Sequence, residues 1–131
     1  MSQHILLLED DIELSRLIQE CLIQAGYTVT VCNIASRAAL VLQQQPVNLL
    51  LCDVMLPGKN GFDFVDEIRS VYQGPILFLT AKVAIQDQLK GFSLGAQDYL
   101  LKPVDPRLLL AKIKVFLQPA AGSNNCNKSI N

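Results

Sequence analysis

Two strongly apolar runs of this chain end abruptly in acidic residues. Ile5–Leu8 is followed by Glu9 and Asp10, and Leu49–Cys52 is followed by Asp53. An apolar run of this length, bounded by polar residues, predicts a strand that is buried on both faces, as in a parallel sheet. Open α/β sheets carry their functional sites at the carboxyl ends of such strands. The two runs therefore indicate both the class of the fold and the position of its site.

The chain alternates between strand-like and helix-like hydrophobic periods about five times. The strand-like runs are His4–Glu9, Thr28–Cys32, Leu49–Asp53, Ile76–Thr80 and Tyr99–Leu101. The helix-like stretches cover residues 14–25, 35–45, 83–94 and two that begin after Gly61 and at Pro106. Repeated βα units with right-handed crossovers give a parallel sheet that is covered by helices on both sides. Five units predict a flavodoxin-like (βα)5 doubly wound sheet with strand order 2-1-3-4-5, in which the first and third strands are neighbours.

Polar residues predict where several helices begin. Asp10 or Asp11 is the expected N-cap of the first helix, and Asn33 is the expected N-cap of the second. Asp105 is expected to cap the last helix, with Pro106 at its first position, where proline is well tolerated.

The predicted strand order brings the acidic residues together. With the first and third strands adjacent, Glu9, Asp10 and Asp53 converge on one small pocket. Two unit charges about 5 Å apart repel by roughly 3 kcal/mol at an effective dielectric near 20. Three such pairs would cost on the order of 10 kcal/mol, which is comparable to the stability of a whole domain. The pocket therefore requires a divalent cation, raised pKa values or a basic neighbour.

Two further polar residues follow apolar strands in the same way. Thr80 ends the fourth run, and Lys102 follows the fifth run directly before Pro103. The lysine neutralises part of the acidic charge, and a hard cation with oxygen ligands neutralises the rest. Magnesium fits best, because it retains several waters and uses one or two protein carboxylates with phosphate oxygens. A carboxylate beside magnesium and an ammonium group is well placed to attack a phosphoryl group.

Composition narrows the function classes. The 131 residues, 50% of them hydrophobic, predict one domain over residues 1–118 and a flexible tail or linker over 119–131. A net charge of −1 and the lack of a helix-turn-helix or basic cluster argue against nucleic-acid binding by this chain. The sequence contains no membrane-spanning stretch or signal-peptide pattern, so a cytoplasmic location is expected. The spacing of its four cysteines and its single histidine disfavour a zinc site.

These motifs resemble the receiver domain of two-component response regulators over roughly residues 3–118. The resemblance rests on residues 5–11, residues 52–58 with Gly61, Thr80-Ala81 and residues 95–103. It implies that Asp53 accepts a phosphoryl group from the phosphohistidine of a sensor histidine kinase.

The resemblance also implies the roles of the neighbouring residues. Asp10 and Asp53 would bind Mg²⁺ directly with the backbone carbonyl of Met55, and Glu9 would act through water. Lys102 would pair with a phosphoryl oxygen. The chain is accordingly not expected to be an enzyme, beyond promoting its own aspartyl phosphorylation and dephosphorylation.

A conformational switch is part of what the resemblance implies. Thr80 and Tyr99 form the expected switch pair, with Tyr99 following the Thr80 loop inward on phosphorylation. The Lys102–Pro103 peptide bond is expected to be cis. The fourth predicted helix, Val83–Leu94, carries Gly91 in its interior and is expected to be the least stable and to move.

The surface motifs point to the OmpR/PhoB-like subfamily of transcription regulators. On the last predicted helix Leu108 and Val115 flank Lys112 outside the core stripe, and Asp98 is the matching acidic residue. We expect a phosphorylation-promoted homodimer through the fourth helix, fifth strand and fifth helix, with more apolar contact than ion pairing. DNA would be bound only through an effector domain, if one exists.

Two alternatives remain open at this point. The chain is either part of a transcription regulator or a stand-alone receiver that acts only by protein docking. A remote alternative is a phosphatase of the haloacid-dehalogenase type, which also uses a strand-end aspartate. Such phosphatases carry a second acid two residues later, where this chain has Met55.

Overall fold

The computed structural model describes residues 3–81, 89, 93 and 95–117. Its elements are β1 His4–Leu8, α1 Ile12–Gln24, β2 Thr28–Cys32, α2 Ala35–Gln44, β3 Leu49–Asp53, α3 Gly61–Ile68, β4 Ile76–Thr80, β5 Asp98–Leu101 and a C-terminal helix, Pro106–Phe116. Most of the fourth predicted helix and the predicted tail lie outside these residues. Leu89 and Ser93 of that helix are described; both are helical, and Leu89 is 64% exposed.

The five strands form one parallel sheet in the order β2-β1-β3-β4-β5. This order confirms the predicted flavodoxin-like fold and the adjacency of β1 and β3, where Leu8 lies opposite Cys52. Because the strands are parallel, the residues that follow β1, β3 and β5 emerge at one edge of the sheet. We call this edge the carboxyl edge.

Two apolar layers cover the sheet, one on each face. Alternate strand residues point to opposite faces, so Leu6 packs with α2 and α3 while Leu7 packs with α1 and the C-terminal helix. The residues of β3 and β4 are buried throughout. This double coverage explains why the central strands are continuous apolar runs rather than alternating ones.

The helix caps agree with the sequence in two cases and differ in a third. Asp11 caps α1 by accepting from Leu14 N, and Asp105 caps the C-terminal helix by accepting from Arg107 N. The prediction that Asn33 caps α2 is wrong: the N-cap is Ile34, without a side-chain hydrogen bond. The Asn33 side chain instead donates to the carbonyl oxygen of Glu9, which gives a backbone acceptor in the turn after β1 a partner across the sheet edge.

The helices of the described part of the chain are all too short or too polar to cross a membrane.

Gly61 begins α3 directly against the end of β3. A Cβ atom at this position would lie 2.3 Å from the carbonyl oxygen of Asp53 and 3.0 Å from the Cα of Val54. The missing side chain therefore allows α3 to start close to the carboxyl edge. Asn60 caps the helix by accepting from Asp63 N.

We predict that Gly61→Ala lowers the free energy of unfolding by about 3 kcal/mol, at the upper end for an overpacked site, because the central strand cannot move aside. Gly58→Ala is the matched control in the same loop. Its φ is +76° and its surroundings are open, so it costs only the left-handed strain, about 1 kcal/mol. Urea unfolding measures both variants, and equal losses would contradict the close approach of Gly61 to Asp53.

Candidate functional site

Three carboxylates meet at the carboxyl edge of the sheet. Glu9, Asp10 and Asp53 each bring a carboxylate oxygen within 4.8 Å of the others. Glu9 and Asp53 are buried, at 0% and 2% exposure, and Asp10 is exposed. The predicted convergence is therefore observed, and Asp10 forms the open side of the cluster.

Backbone and side-chain hydrogen bonds hold the acidic turn after β1. Glu9 N donates to the carbonyl oxygen of Cys32 at 3.1 Å, and Asn33 Nδ2 donates to the carbonyl oxygen of Glu9 at 2.7 Å. Asp11 N donates to Glu9 Oε2 at 3.0 Å. Asn33 is thus a positioning residue of the site that sequence reasoning missed. Its position directly after β2, at the same edge as the acids, was the available signal.

Lys102 is the basic neighbour that the acidic cluster requires. Its Nζ lies 2.8 Å from Glu9 Oε1 and 3.2 Å from Asp53 Oδ2. Burial disfavours the charged ammonium, but the hydrogen bonds and attraction to the two carboxylates outweigh it, so the pKa of Lys102 is raised. The lysine therefore stays protonated at neutral pH.

The charge of Lys102 offsets only part of the free-energy cost of ionising the buried carboxyl groups. Burial, together with repulsion from Asp53, raises the pKa of Glu9 to about 7 even though Lys102 and Asp11 N stabilise its anion. Burial also raises the pKa of Asp53, against the hydrogen bond from Met55 N and the charge of Lys102. The fully ionised cluster is thus destabilising, which suits it to bind a cation.

The opening of the site lies beside Asp53. Met55 N donates to Asp53 Oδ1 at 3.1 Å, which fixes one carboxylate oxygen. The Met55 side chain is 72% exposed. With its other oxygen facing Lys102, the buried Asp53 has a partner for each carboxylate oxygen.

Thr80 and Tyr99 lie on the adjacent strands β4 and β5. Thr80 ends β4 with 4% exposure, and Tyr99 in β5 has 9% exposure. Thr80 lies opposite Leu101, two residues beyond Tyr99, so the two side chains share a sheet face. The Lys102–Pro103 peptide bond is cis, as the resemblance implied.

The residues predicted for a dimer face lie away from the acidic site. Leu108 and Val115 are 48% and 67% exposed, in agreement with their position off the core stripe. Lys112 forms an ion pair with Asp98 of the same chain. The sequence did not single out Leu101, which is 53% exposed at the end of β5.

This geometry is able to support phosphoryl chemistry. A carboxylate with one oxygen held by a backbone N–H is a fixed nucleophile, and a neighbouring ammonium stabilises negative charge that develops on an incoming group. Two other acids nearby supply oxygen ligands of the kind that Mg²⁺ prefers. The position that carries a second acid in haloacid-dehalogenase-type phosphatases is Met55 here.

Comparison with known proteins agrees with the receiver-domain resemblance of the sequence motifs. A family model described as the response regulator receiver domain matches residues 5–114. The transcriptional regulatory protein CpxR of Klebsiella pneumoniae is 44% identical over 114 residues, which cover 87% of this chain and 49% of the relative.

Solved structures agree with this match. Chemotaxis protein CheY4 of Vibrio cholerae superposes with a TM-score of 0.85 at 29% identity, covering 89% of this chain and 100% of that chain. DrrB, an OmpR/PhoB homologue of Thermotoga maritima, has a TM-score of 0.80 at 28% identity, covering 90% of this chain and 54% of that chain. The chain spans about half the length of CpxR.

We predict that Asp53→Asn stabilises the metal-free protein. Ionised Asp53 faces two acids and one lysine, so removing its charge relieves roughly one net repulsion, on the order of 1–3 kcal/mol. A carboxyl group whose pKa is raised in the folded state lowers the free energy of unfolding as the pH rises from its unfolded pKa to its folded pKa. For Glu9 the folded pKa is about 7. The increase in the free energy of unfolding that Asp53→Asn causes is therefore larger at pH 8, where Glu9 is ionised, than at pH 5.

Urea unfolding in EDTA measures this gain, with Asp66→Asn on the exposed side of α3 as the control. A gain that is equal at both pH values, or equal in the control, would contradict the electrostatic origin.

Proposed function

The chain belongs to the response regulator receiver domain family, and from that premise we propose that Asp53 accepts a phosphoryl group from a sensor histidine kinase in the presence of Mg²⁺. The observation that carries this proposal is the buried Asp53 carboxylate with Lys102 Nζ at 3.2 Å and two other acids within 4.8 Å. No purely structural need explains three acids at one edge, since their repulsion lowers stability.

The residues at the carboxyl edge fit a magnesium ion. Asp10 and Asp53 would hold it with the backbone carbonyl of Met55, and Glu9 would contact it through water. The raised pKa values of Glu9 and Asp53 support this assignment, because burial, and for Glu9 also repulsion from Asp53, disfavours the carboxylate charges that a cation would stabilise. When bound, Mg²⁺ would orient the phosphoryl donor and stabilise the transferring charge.

The side chains and backbone of this chain would supply the nucleophile and the groups that stabilise the added phosphoryl charge. Asp53 supplies the nucleophilic oxygen, while Met55 N holds Oδ1 in place. Lys102 already lies beside Oδ2 and would move to an oxygen of the phosphoryl group, where its positive charge offsets the charge that is added. A phosphorylated side chain gains close to two negative charges and three acceptor oxygens. The Thr80 hydroxyl would donate to one of these oxygens.

This new hydrogen bonding is the energy source of the proposed switch. Hydrogen bonds to charged groups contribute about 1.5–3 kcal/mol each. Two such new bonds to the phosphoryl oxygens, one of them from Thr80, would supply roughly 3–6 kcal/mol, against about 5.5 kcal/mol needed to invert a 1:99 population. Tyr99 in the neighbouring strand would carry the change to the surface of β5.

The output that we propose is phosphorylation-promoted dimerisation in the service of transcription control. Leu108, Val115 and Leu101 supply exposed apolar area, and Asp98 and Lys112 supply a charged pair. CpxR is named a transcriptional regulatory protein, and this chain matches about half of its length, which supports an effector domain elsewhere in the whole protein. The second candidate is a stand-alone receiver that docks to partners, as its match over the full length of CheY4 favours.

We predict that acetyl phosphate with Mg²⁺ adds one phosphoryl group to the chain, because Asp53 combines a fixed nucleophile with a neighbouring ammonium. Intact-mass measurement follows the addition. Asp53→Ala should remove it and Lys102→Ala should slow it, while Asp66→Ala, on the exposed side of α3, should label like the wild type. Labelling that survives Asp53→Ala would overturn the assignment, and turnover of a small phosphate ester would favour the phosphatase alternative.

We also predict that beryllofluoride with Mg²⁺ converts the chain from monomer to dimer in sedimentation velocity. Leu108→Asp should weaken this dimer about tenfold or more, because it buries a charge at the centre of the apolar contact. Leu40→Asp is the matched control, since Leu40 is 51% exposed on α2, away from this face. A chain that stays monomeric with beryllofluoride bound would contradict the dimer and favour the stand-alone receiver.

A further inference from the structure

Three aromatic rings form a column between α3 and β5. The ring of Phe62 meets that of Phe78 edge to face, with centroids 4.9 Å apart and planes at 73°. The ring of Phe78 stacks on that of Tyr99, with centroids 5.7 Å apart and planes at 28°. Both geometries are favourable for aromatic pairs. The column ends on Tyr99, the residue that the proposed switch would move.

The sheet holds this column in register. Phe78 lies directly opposite Tyr99 on one side and Cys52 on the other, so its ring occupies the row next to Asp53. Phe78 is fully buried, whereas Tyr99 keeps 9% of its surface exposed. Thr80 follows Phe78 by two residues and lies on the same face. Phe78 thus stands between the strand that carries the phosphorylation site and the strand that carries the switch tyrosine.

The segment that leads into β5 is held by Arg69, the residue that follows α3. Arg69 Nη2 donates to the carbonyl oxygen of Gly95 at 3.0 Å, and Arg69 Nη1 donates to those of Tyr72 and Gly74 at 3.2 and 3.0 Å. The β4–β5 ladder holds the strand itself. With the backbone fixed at both places, rotation of the Tyr99 side chain is the available movement.

We propose that Phe78, supported by Phe62, holds the Tyr99 ring in its buried position by stacking and so biases the switch toward that position before phosphorylation. The contacts come from β4 and α3 and involve no atom of Asp53, so they act whatever group Asp53 carries. The inference rests on the proposed function, in which a buried Tyr99 is the phosphorylated arrangement. The aromatic column thus raises the population of the buried Tyr99 ring before phosphorylation, and phosphorylation would raise it further.

The test replaces the stacking ring and follows Tyr99 directly. The chain contains three tyrosines, so 3-fluorotyrosine labelling gives three ¹⁹F resonances, assigned with Tyr27→Phe and Tyr72→Phe. The shift difference between H₂O and D₂O reports the solvent exposure of each. In Phe78→Leu the buried-to-exposed ratio of Tyr99 should fall roughly two- to twelve-fold, which is the range for loss of one aromatic pair.

Matched variants separate stacking from general damage to the core. Leu79→Met changes the adjacent buried residue of β4 on the opposite sheet face and should leave Tyr99 unchanged. Phe62→Leu should act in the same direction as Phe78→Leu but less strongly, because Phe62 supports the Phe78 ring, which itself stacks on Tyr99. If Phe78→Leu does not fold, Phe78→Met preserves more volume and carries the same expectation.

The outcomes distinguish this inference from the proposed function. Unchanged Tyr99 exposure in the folded Phe78 variants, or an equal change in Leu79→Met, would overturn the role of the column. Acetyl phosphate labelling of the same samples tests Asp53 separately, and its failure would overturn the proposed function while the ¹⁹F result on ring position stands. Selective exposure of Tyr99, with Tyr27 and Tyr72 unmoved, supports the column.

Discussion

The mutual repulsion of three carboxylates at the carboxyl edge is the constraint on which the site depends. Glu9 and Asp53 are buried within 4.8 Å of each other and of Asp10, so their ionisation is costly. Lys102 offsets part of that cost through contacts of 2.8 and 3.2 Å, yet the pKa values of both buried acids remain raised. A site in this condition would gain stability from a bound cation, which is consistent with the proposed Mg²⁺ site.

The parallel sheet explains how a change at this edge reaches a distant surface. Asp53 ends β3 and Lys102 follows β5, the two strands that flank β4, and β4 carries both Phe78 and Thr80. The aromatic contact from Phe78 to Tyr99 crosses to β5, whose neighbouring surface holds the Asp98–Lys112 pair. The proposed phosphorylation site on β3 and the proposed output surface on β5 are therefore separated by one strand, β4, and the layers of helices on both faces hold the strands in register.

Most of the fold was predictable because its signals are local in sequence. The apolar runs of β1 and β3, and the caps at Asp11 and Asp105, depend on residues within one element. The site acids were predictable too, since each directly follows or ends such a run. Asn33 was misassigned because its partner, the carbonyl of Glu9, lies in another βα unit. The stack of Phe62, Phe78 and Tyr99 joins three separate elements, and no spacing in the sequence indicates it.

The sequence by itself determined the class of the fold, the strand order and the residues that gather at the carboxyl edge, because hydrophobic periodicity and strand-end placement are written along the chain. Only the tertiary structure decided how those residues interact. Lys102 bridges Glu9 and Asp53, Lys112 pairs with Asp98, and the ring of Phe78 covers Tyr99. The physical reason is that ion pairing, burial and ring stacking act over a few ångströms, so they depend on side-chain positions that only strand register and helix packing establish.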